Sequence, residues 1–287
     1  LIQNITEIDF EEADIVFSCL PHGELQKFIR LIPADKKVID VAADFRLQDM
    51  ELYKEYYGGE HEAQELISES CYGLPELFRE DFSKHSIIGC PGCYPTSILL
   101  PLFPLVKQNF LTSNDIIIDS KTGVSGAGRK LSLPNLFAEM NENAFAYSVS
   151  KHRHLAEIIE TLARASNQKF ALQFTPQVIP VTRGIISTIY VKSSYAASEL
   201  KSSLEKFYRN EDFVRVYADN IPPNLKTVVG TNYCDINIFD SANSDFKIIV
   251  SCIDNLTKGS SGQAIQNFNI LFGLPENTGL NFQTTYP

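Results

Sequence analysis

The sequence predicts an α/β domain built on a parallel sheet, joined to an α+β domain whose sheet is mostly antiparallel. The first third alternates short apolar runs with helix-like stretches, which indicates βαβ crossovers and therefore parallel strands. Later segments alternate apolar and polar residues with a period of two, which is typical of antiparallel strands with one solvent-facing side. We place the first domain at residues 1–94 plus 258–287 and the second at residues 95–257.

The elements of the first domain follow in chain order. Residues 14–20 form an apolar run that predicts a buried strand ending at a proline. Apolar residues at helical spacing predict a helix over residues 23–32, and Pro33 stops it. Further apolar runs at residues 38–41 and 87–89 predict two more strands of the same parallel sheet.

The second domain is predicted to have strands at residues 184–191, 233–238 and 246–252. In the second of these strands Asp235 and Asn237 would face the solvent. In the third, the apolar face would be formed by Phe246, Ile248, Val250 and Cys252. Helices are predicted from apolar residues at helical spacing, which are Leu155, Ile158, Ile159 and Leu162 in one helix and Leu200, Leu204 and Phe207 in another.

Composition excludes several classes of function. The 287 residues are 44% hydrophobic and 21% charged, which is ordinary for a globular protein of about two domains. A formal net charge of −10 argues against nucleic-acid binding, which needs a basic surface. No apolar run is long enough to cross a membrane. Three of the six cysteines lie in apolar, strand-like runs, which favours a reducing, cytoplasmic location.

The segment Gly89–Thr96 is the most informative part of the sequence. A strand ends at its first residue, a turn of proline and glycine follows, and Pro95 suits the first turn of a helix. Cys93 would then lie at a helix N-terminus, where the dipole and unpaired N–H groups favour a thiolate. Lowering the pKa of a thiol by two units needs about 2.7 kcal/mol. A helix end together with a nearby imidazolium could supply that amount.

Two other interpretations of Cys93 remain open. Most cysteines are inert core residues. In addition, Cys90 and Cys93 have the spacing of a thiol–disulfide oxidoreductase motif or of half a zinc site. Zinc needs two further ligands, and the sequence offers no second pair of that kind except in the segment Lys151–His154, so we predict no metal.

Two further segments carry residues suited to chemistry. The segment Asp119–Lys130 holds three glycines whose backbone could approach a ligand and present N–H groups to an anion, although it could also be a plain surface turn. The segment Lys151–Glu157 holds two of the five histidines, with Glu157 one helical turn after His154. An imidazole there could exchange a proton near neutral pH, or the segment could be only a solvated helix start.

Two weaker candidates complete the set. Arg46 follows the second strand, where ligands of open α/β sheets bind, and it could hold a phosphate or form a surface ion pair with Asp44 or Asp49. Small residues at positions 259–262 lead into a helix whose buried side would contain Ile265, Phe268 and either Leu271 or Phe272. Amide side chains at this helix entrance could bind a carboxamide or serve as caps.

These segments together resemble the N-acetyl-gamma-glutamyl-phosphate reductase family of arginine biosynthesis. The segment Gly89–Thr96 resembles the active-site signature of that family, and Ser97 stands where the family usually has glycine or alanine. The resemblance covers essentially the whole chain, because other segments match in order and spacing: Cys19–Gly23, Thr122–Arg129, Lys151–Glu157, Val181–Gly184 and Gly259–Asn267.

The resemblance implies an NADP-dependent oxidoreductase acting on an acyl phosphate, related to aspartate-semialdehyde and glyceraldehyde-phosphate dehydrogenases. It implies that Cys93 is the nucleophile and His152 the general acid/base. The implied substrate-binding residues are His154, Glu157, Arg46, Arg183 and Ser125. The implied cofactor-binding residues are Leu20, Pro21, His22, Gly123, Gly126, Ala127, Gly128 and Asn267. The first domain would bind NADP, and the second would carry catalysis and self-association into a dimer or tetramer.

Members of this family open with a strand and a glycine-rich pyrophosphate loop, and this sequence begins after them. The expected first domain is therefore a truncated Rossmann-like sheet that lacks roughly 60 residues. The alternatives are a reductase of a related acyl phosphate, of lysine-pathway or aspartyl type, a thiol–disulfide oxidoreductase, and an inactive fragment of the family.

Overall fold

The computed structural model describes residues 4–242 and 244–284. It divides the chain into two compact units. Unit 1 comprises Leu1–Pro91 and Gln263–Thr278, and unit 2 comprises Gly92–Gly262 and Gly279–Pro287. The described residues form a parallel sheet in unit 1 and a mixed, mostly antiparallel sheet in unit 2, so the predicted fold class is confirmed.

Unit 1 contains a four-stranded sheet in the order β1-β2-β4-β3, and every pair of neighbours is parallel. Its strands are β1 (Ile15–Ser18), β2 (Lys37–Asp40), β3 (Ser70–Tyr72) and β4 (Ile87–Gly89). The helices on the same part of the chain are α1 (Leu25–Phe28), α2 (Met50–Tyr57) and α3 (Pro75–Phe78). The helix predicted over residues 23–32 is one short α-helix followed by the 3₁₀ turn Ile29–Leu31.

The core of unit 1 lies on both faces of this sheet. One cluster includes Val38 and Phe45, and another includes Ile39 and Ile88, which are side by side in the register of β2 and β4. Neighbouring residues of β2 thus pack into different clusters. A strand buried on both faces accounts for the continuous apolar runs of the sequence.

Unit 2 contains a seven-stranded sheet in the order β6-β7-β5-β8-β11-β10-β9. The strands are β5 (Asp115–Thr122), β6 (Phe145–Ala146), β7 (Ala171–Val178), β8 (Ile185–Lys192), β9 (Val214–Val216), β10 (Cys234–Asp240) and β11 (Phe246–Ile253). The helices are α4 (Cys93–Lys107), α5 (Phe137–Met140), α6 (His154–Ser166) and α7 (Ala197–Tyr208). The pairs β5–β7 and β9–β10 are parallel, and the other neighbouring pairs are antiparallel.

Helix α4 is the centre of unit 2. Every residue from Tyr94 to Val106 is buried, which fits a helix that is apolar on all sides. The helix contains Pro101 and Pro104, and a proline inside a helix leaves the carbonyl four residues earlier without its usual donor. For Pro104 that carbonyl belongs to Leu100, and the hydroxyl of Tyr208 donates to it at 2.5 Å. A side chain of α7 thus replaces the missing backbone hydrogen bond.

The predicted solvent-facing side of β10 is wrong, because Asp235 and Asn237 are fully buried. The carboxylate of Asp235 accepts hydrogen bonds from both Nε and Nη2 of Arg215, at 2.6 and 2.9 Å. The amide of Asn237 donates to two backbone carbonyls of the loop before β10, at 2.9 Å each. Alternation in the sequence identified the two faces of the strand, but it could not show that a polar loop covers the second face.

Two other predicted burial patterns are also wrong. In β11, Phe246, Ile248 and Val250 are half-buried, whereas the residues between them are the buried ones. The chain then re-enters unit 1 through α8 (Gly262–Leu271), where Ile265 is exposed and Phe268 is half-buried. Phe268 and Leu271 are partly buried against the core of unit 1, as predicted, so only Ile265 contradicts the predicted apolar side. The buried residues of α8 also include four amides, Gln263, Gln266, Asn267 and Asn269.

Within residues 4–242 and 244–284, no helix is both long enough and apolar enough to cross a membrane. The same described residues hold no group of three or more histidine, cysteine, aspartate or glutamate side chains placed to bind a metal ion.

Candidate active site

Cys93 is the first residue of α4, as the sequence predicts. Gly92 is the N-cap, with the extended backbone angles φ −66° and ψ 155°. Cys93 is half-buried and is present as a thiol rather than in a disulfide. A partly accessible sulfur at a helix N-terminus lies where the helix dipole favours the thiolate form.

Glu157 and His154, both on α6, hold the residue before the thiol in place. The carboxylate of Glu157 is fully buried and accepts a hydrogen bond from the backbone N–H of Gly92 at 2.8 Å. The ring of His154 lies so close to Gly92 that a Cβ built there would be 2.5 Å from Nε2. The two predicted substrate-side residues therefore form the buried support of the N-cap of α4.

His152 is half-buried, and burial lowers the pKa of its imidazole to about 4, with the positive charge of Arg153 acting in the same direction. The ring is therefore neutral at neutral pH, and the imidazolium expected to stabilise the thiolate is absent from this structure. The backbone N–H of His154 donates to Nδ1 of His152 at 3.2 Å. Because Nδ1 accepts, the proton of the neutral ring lies on Nε2.

Two tyrosines that the sequence did not single out pack against His152, and one of them, Tyr94, directly follows Cys93. The rings of Tyr94 and Tyr147 each pack edge-on against the ring of His152, with centroids 5.5 Å apart. Their hydroxyls are hydrogen-bonded to each other at 3.1 Å. Burial raises the pKa of both phenols, that of Tyr147 to about 12, and the adjacent charge of Cys93 raises both further.

Tyr94, the residue directly after Cys93, therefore packs against His152 and is hydrogen-bonded to Tyr147. Only their positions in the sequence could have identified these two tyrosines as site residues. Tyr94 directly follows Cys93, and Tyr147 shortly precedes His152.

The glycine-rich loop after β5 is not an open nest of N–H groups. The N–H groups of Gly126 and Gly128 donate to carbonyls inside the loop. The N–H of Gly123 donates to the carbonyl of Gly184, and that of Ser125 donates to the carbonyl of Thr182. Gly123 is required by close packing, because a Cβ there would be 2.8 Å from the backbone of Thr182. Gly126, Ala127 and Gly128 are exposed, so the loop offers an open surface but few unused donors.

Ser125 and Arg183 are held by two neighbouring residues that the sequence did not identify. The side chain of Asn255 accepts from the N–H of Gly184 at 2.7 Å and donates to the hydroxyl of Ser125 at 3.0 Å. The guanidinium of Arg183 forms an ion pair with the fully buried carboxylate of Asp254 at 2.8 Å. The residues just after β11 therefore fix both predicted substrate-binding side chains.

In unit 1, the predicted cofactor residues of the first loop lie beyond the end of β1. Pro21 is exposed, and Leu20 and His22 are half-buried. Nδ1 of His22 lies 2.9 Å from the fully buried carboxylate of Asp44, and its ring packs against Tyr57 with centroids 4.5 Å apart. The loop therefore offers an ordered surface at the carboxyl end of a parallel strand.

The other two candidates of unit 1 are buried. Nη2 of Arg46 donates to the carbonyl of Val41 at 3.1 Å, and the side chain is only 7% exposed. The amide of Asn267 is fully buried, donates to the carbonyl of Gly73 at 3.0 Å and accepts from Gln263 at 3.0 Å. Both side chains thus hold loops of unit 1 in the present structure.

Sequence relatives identify the family. A probable chloroplastic N-acetyl-gamma-glutamyl-phosphate reductase of Oryza sativa subsp. japonica is 44% identical over 285 residues, covering 99% of this chain and 69% of the relative. The N-acetyl-gamma-glutamyl-phosphate reductase of Pelotomaculum thermopropionicum is 46% identical and covers 99% and 82% of the two chains. That of Caldicellulosiruptor saccharolyticus is 47% identical and covers 97% and 83%. The chain belongs to the N-acetyl-gamma-glutamyl-phosphate reductase family.

Domain families and solved structures agree with the fold described above. Residues 1–85 match the semialdehyde dehydrogenase NAD binding domain, and residues 93–255 match the semialdehyde dehydrogenase dimerisation domain. Aspartate semialdehyde dehydrogenase II of Vibrio cholerae has the same fold, with a TM-score of 0.71 at 16% identity over 94% of this chain and 83% of that one. The Candida albicans aspartate semialdehyde dehydrogenase, solved with NADP, gives 0.63 at 17% identity over 93% and 79%.

The NAD binding domain match indicates that this member of the reductase family uses a nicotinamide cofactor. The residues of unit 1 fit such a group, because Leu20, Pro21 and His22 lie beyond the carboxyl end of a parallel strand. Ligands of open α/β sheets bind at that position.

Proposed function

We propose that the chain catalyses the NADPH-dependent reduction of N-acetyl-gamma-glutamyl phosphate to N-acetylglutamate semialdehyde, a step of arginine biosynthesis. One observation carries the proposal. The thiol of Cys93 is accessible at the N-terminus of α4, directly before a tyrosine whose ring packs against a neutral imidazole that holds its proton on Nε2. Membership of the reductase family supplies the identity of the acyl phosphate.

The proposed reaction begins with attack of the Cys93 thiolate on the acyl carbon of the substrate. The C–O bond to phosphate breaks, phosphate leaves with the electron pair, and a thioester forms on Cys93. A thioester splits one difficult reduction into two easier steps. A nicotinamide bound beside it would supply the hydride.

His152 then acts on the oxyanion of the resulting thiohemiacetal. Because its ring is neutral, Nε2–H stabilises the oxyanion as a hydrogen-bond donor rather than by giving up a full proton. The oxyanion collapses, the C–S bond breaks, and Cys93 is released as the thiolate while the aldehyde forms. Backbone N–H groups at the start of α4 can support the same oxyanion.

We assign substrate contacts to Arg183 and Ser125, because each side chain is partly accessible and is held by a buried partner. Arg46, His154 and Glu157 remain candidates, although the structure buries all three.

We assign NADP to Leu20, Pro21 and His22 in unit 1 and to the exposed Gly126, Ala127 and Gly128 in unit 2. Gly123 and Asn267, both buried, would support these surfaces.

We further propose that the enzyme works as a homo-oligomer, a dimer or a tetramer, in the cytoplasm. The match of residues 93–255 to a dimerisation domain supports self-association. All six cysteines are present as thiols, which supports a reducing compartment.

The test is Cys93→Ser, assayed by phosphate-dependent reduction of NADP from N-acetylglutamate semialdehyde. We expect activity to fall by about 10³-fold or more, because a serine hydroxyl is a far weaker nucleophile. NADPH binding, followed by fluorescence titration, should be unchanged. Cys90→Ser is the matched control and should keep activity within a few-fold. Equal loss in both variants would instead favour a thiol–disulfide oxidoreductase, and full activity in Cys93→Ser would remove the proposal.

A further inference from the structure

A π-helical turn connects β11 to α8. It spans Thr257–Ser261. The N–H of Gly259 donates to the carbonyl of Asp254 at 2.9 Å, and the N–H of Ser261 donates to that of Leu256 at 3.1 Å. Both bonds reach back five residues. Such turns are rare and frequently occur at functional sites.

Gly259 is the residue of this turn that contacts the nucleophile. Its φ angle is not among the positive ones, so its backbone conformation is open to any residue. A Cβ built on Gly259, however, would be 2.8 Å from Cβ and 3.2 Å from Cα of Cys93. Glycine is therefore needed here because Cys93 lies against it, not because of backbone conformation.

The turn itself is fixed to its surroundings. The buried carboxylate of Asp254 accepts from the N–H groups of Gly230 and Leu256, at 2.7 and 2.8 Å, and from Arg183. The hydroxyl of Thr257 donates to the carbonyl of Thr231. The turn is therefore held through Thr257 and through the preceding Asp254. A turn fixed in this way can limit where the side chain of Cys93 lies against Gly259.

We propose that Gly259 is a positioning residue, and that the π-turn Thr257–Ser261 sets the place of the Cys93 thiol at the start of α4. The inference deepens the proposed function and rests on it where turnover is concerned. Attack on an acyl carbon requires the sulfur within a few tenths of an ångström of its place, and a misplacement of about 1 Å can cost on the order of 10²-fold in rate.

The test is Gly259→Ala in the full chain, measured for kcat, KM, thermal unfolding and the rate of Cys93 alkylation by iodoacetamide across pH. Peptide mass spectrometry separates the cysteines, so the exposed Cys19 of unit 1 serves as an internal reference. We expect kcat to fall by about ten- to a hundredfold with KM changed little, because an interaction specific to the reacting geometry is lost. The alkylation profile of Cys93 should shift while that of Cys19 stays constant.

Gly59→Ala is the matched control, since a Cβ at Gly59 meets nothing within 4 Å and its φ is not positive. It should leave all four measurements unchanged. Thr257→Val gives a second route if Gly259→Ala fails to fold, because it loosens the turn without adding an atom against Cys93. It should shift the Cys93 alkylation profile in the same sense.

A folded Gly259→Ala variant with wild-type kcat and a wild-type Cys93 profile would overturn the inference. So would an unchanged Cys93 profile in Thr257→Val if Gly259→Ala does not fold. Neither result tests the proposed function, which is tested by Cys93→Ser. If Cys93→Ser stays active, the alkylation profiles still decide whether the turn positions the thiol.

Discussion

Cys90 and Cys93 are three residues apart in sequence, yet their surroundings differ in almost every respect. Cys90 is only 1% exposed, and burial, with the charge of Asp40, raises the pKa of its thiol to about 12. The Nδ2 of Asn267 lies 3.5 Å from its sulfur. Cys93, in contrast, is half-buried at the first position of a helix. The same side chain is a core residue at the end of β4 and a nucleophile candidate at the start of α4.

The difference shows that spacing of cysteines is a poor guide to their chemistry. A thiol–disulfide motif needs two thiols that can both ionise and react. Burial keeps Cys90 protonated, so the pair does not meet that requirement.

Thiol reactivity should differ most strongly between the two cysteines. A thiol whose pKa is about 12 is about 10⁻⁵ ionised at pH 7. We therefore expect native Cys90 to react with iodoacetamide at least about a thousandfold more slowly than Cys93. Mass spectrometry of the two alkylated positions measures both rates, and unfolding in denaturant should make them equal. Comparable rates in the native state would contradict the assigned environment of Cys90 and favour the oxidoreductase alternative.

The next effect concerns the packing that distinguishes the Cys93 region. Alanine can adopt the backbone angles of Gly92, but its Cβ would meet three atoms of the His154 ring, at 2.5, 2.7 and 2.7 Å. Gly92→Ala should lower the free energy of unfolding by about 1 to 3 kcal/mol through overpacking. In a His154→Ala background the same change should cost little, because the ring is gone. Denaturant unfolding of the four proteins measures the coupling, and an equal cost in both backgrounds would show that the ring is not responsible.

The smallest effect is the pH dependence of stability. Because the pKa of folded His152 is about 4, below its usual value of 6.5, the unfolded chain binds more protons between these two values. This residue therefore makes stability rise with pH from about 4 to about 6.5, by about 1 to 2 kcal/mol once partial exposure is allowed for. His152→Gln should remove that rise. Urea unfolding at a series of pH values measures it.

Asp40, which lies beside Cys90, has the opposite effect on the pH dependence of stability. The same urea experiment can therefore compare it with His152. Burial raises the pKa of Asp40 from 3.8 to about 6, so the folded chain binds more protons in that window. Asp40 therefore makes stability fall as pH rises from about 4 to about 6. Asp40→Asn should steepen the net rise in stability, whereas His152→Gln should flatten it. A change of the same sign in both variants would contradict the assigned environments.

Sequence patterns predicted secondary-structure elements correctly where the element depends only on residues close to it in the chain. Apolar runs predicted β1, β2 and β4, and parallel strands are commonly buried on both faces. This holds for β2 and β4, whereas β1 is only partly buried and Phe17 on it is exposed, so the burial predicted for that strand is wrong. Proline and glycine around Cys93 predicted the start of α4, because helix termini depend on only a few residues.

Predictions that depended on neighbouring elements failed. Asp235 is buried where it pairs with Arg215, and Ile265 is exposed on a helix that buries four amide side chains. The N–H groups of the glycine-rich loop donate hydrogen bonds to backbone carbonyls. One of these carbonyls belongs to Thr182, which is distant from the loop in the sequence.

The fold class, the start of a helix at Cys93 and the residue types available for thiol chemistry can all be predicted from the amino-acid sequence. The burial of Cys90, the neutral ring of His152 and the close approach of Gly259 to Cys93 arise only when the chain folds. The two sets of properties differ in the range of the interactions that produce them. Helix ends and strand periods follow from bonds between nearby residues, whereas burial, pKa and close packing depend on atoms that only folding brings together.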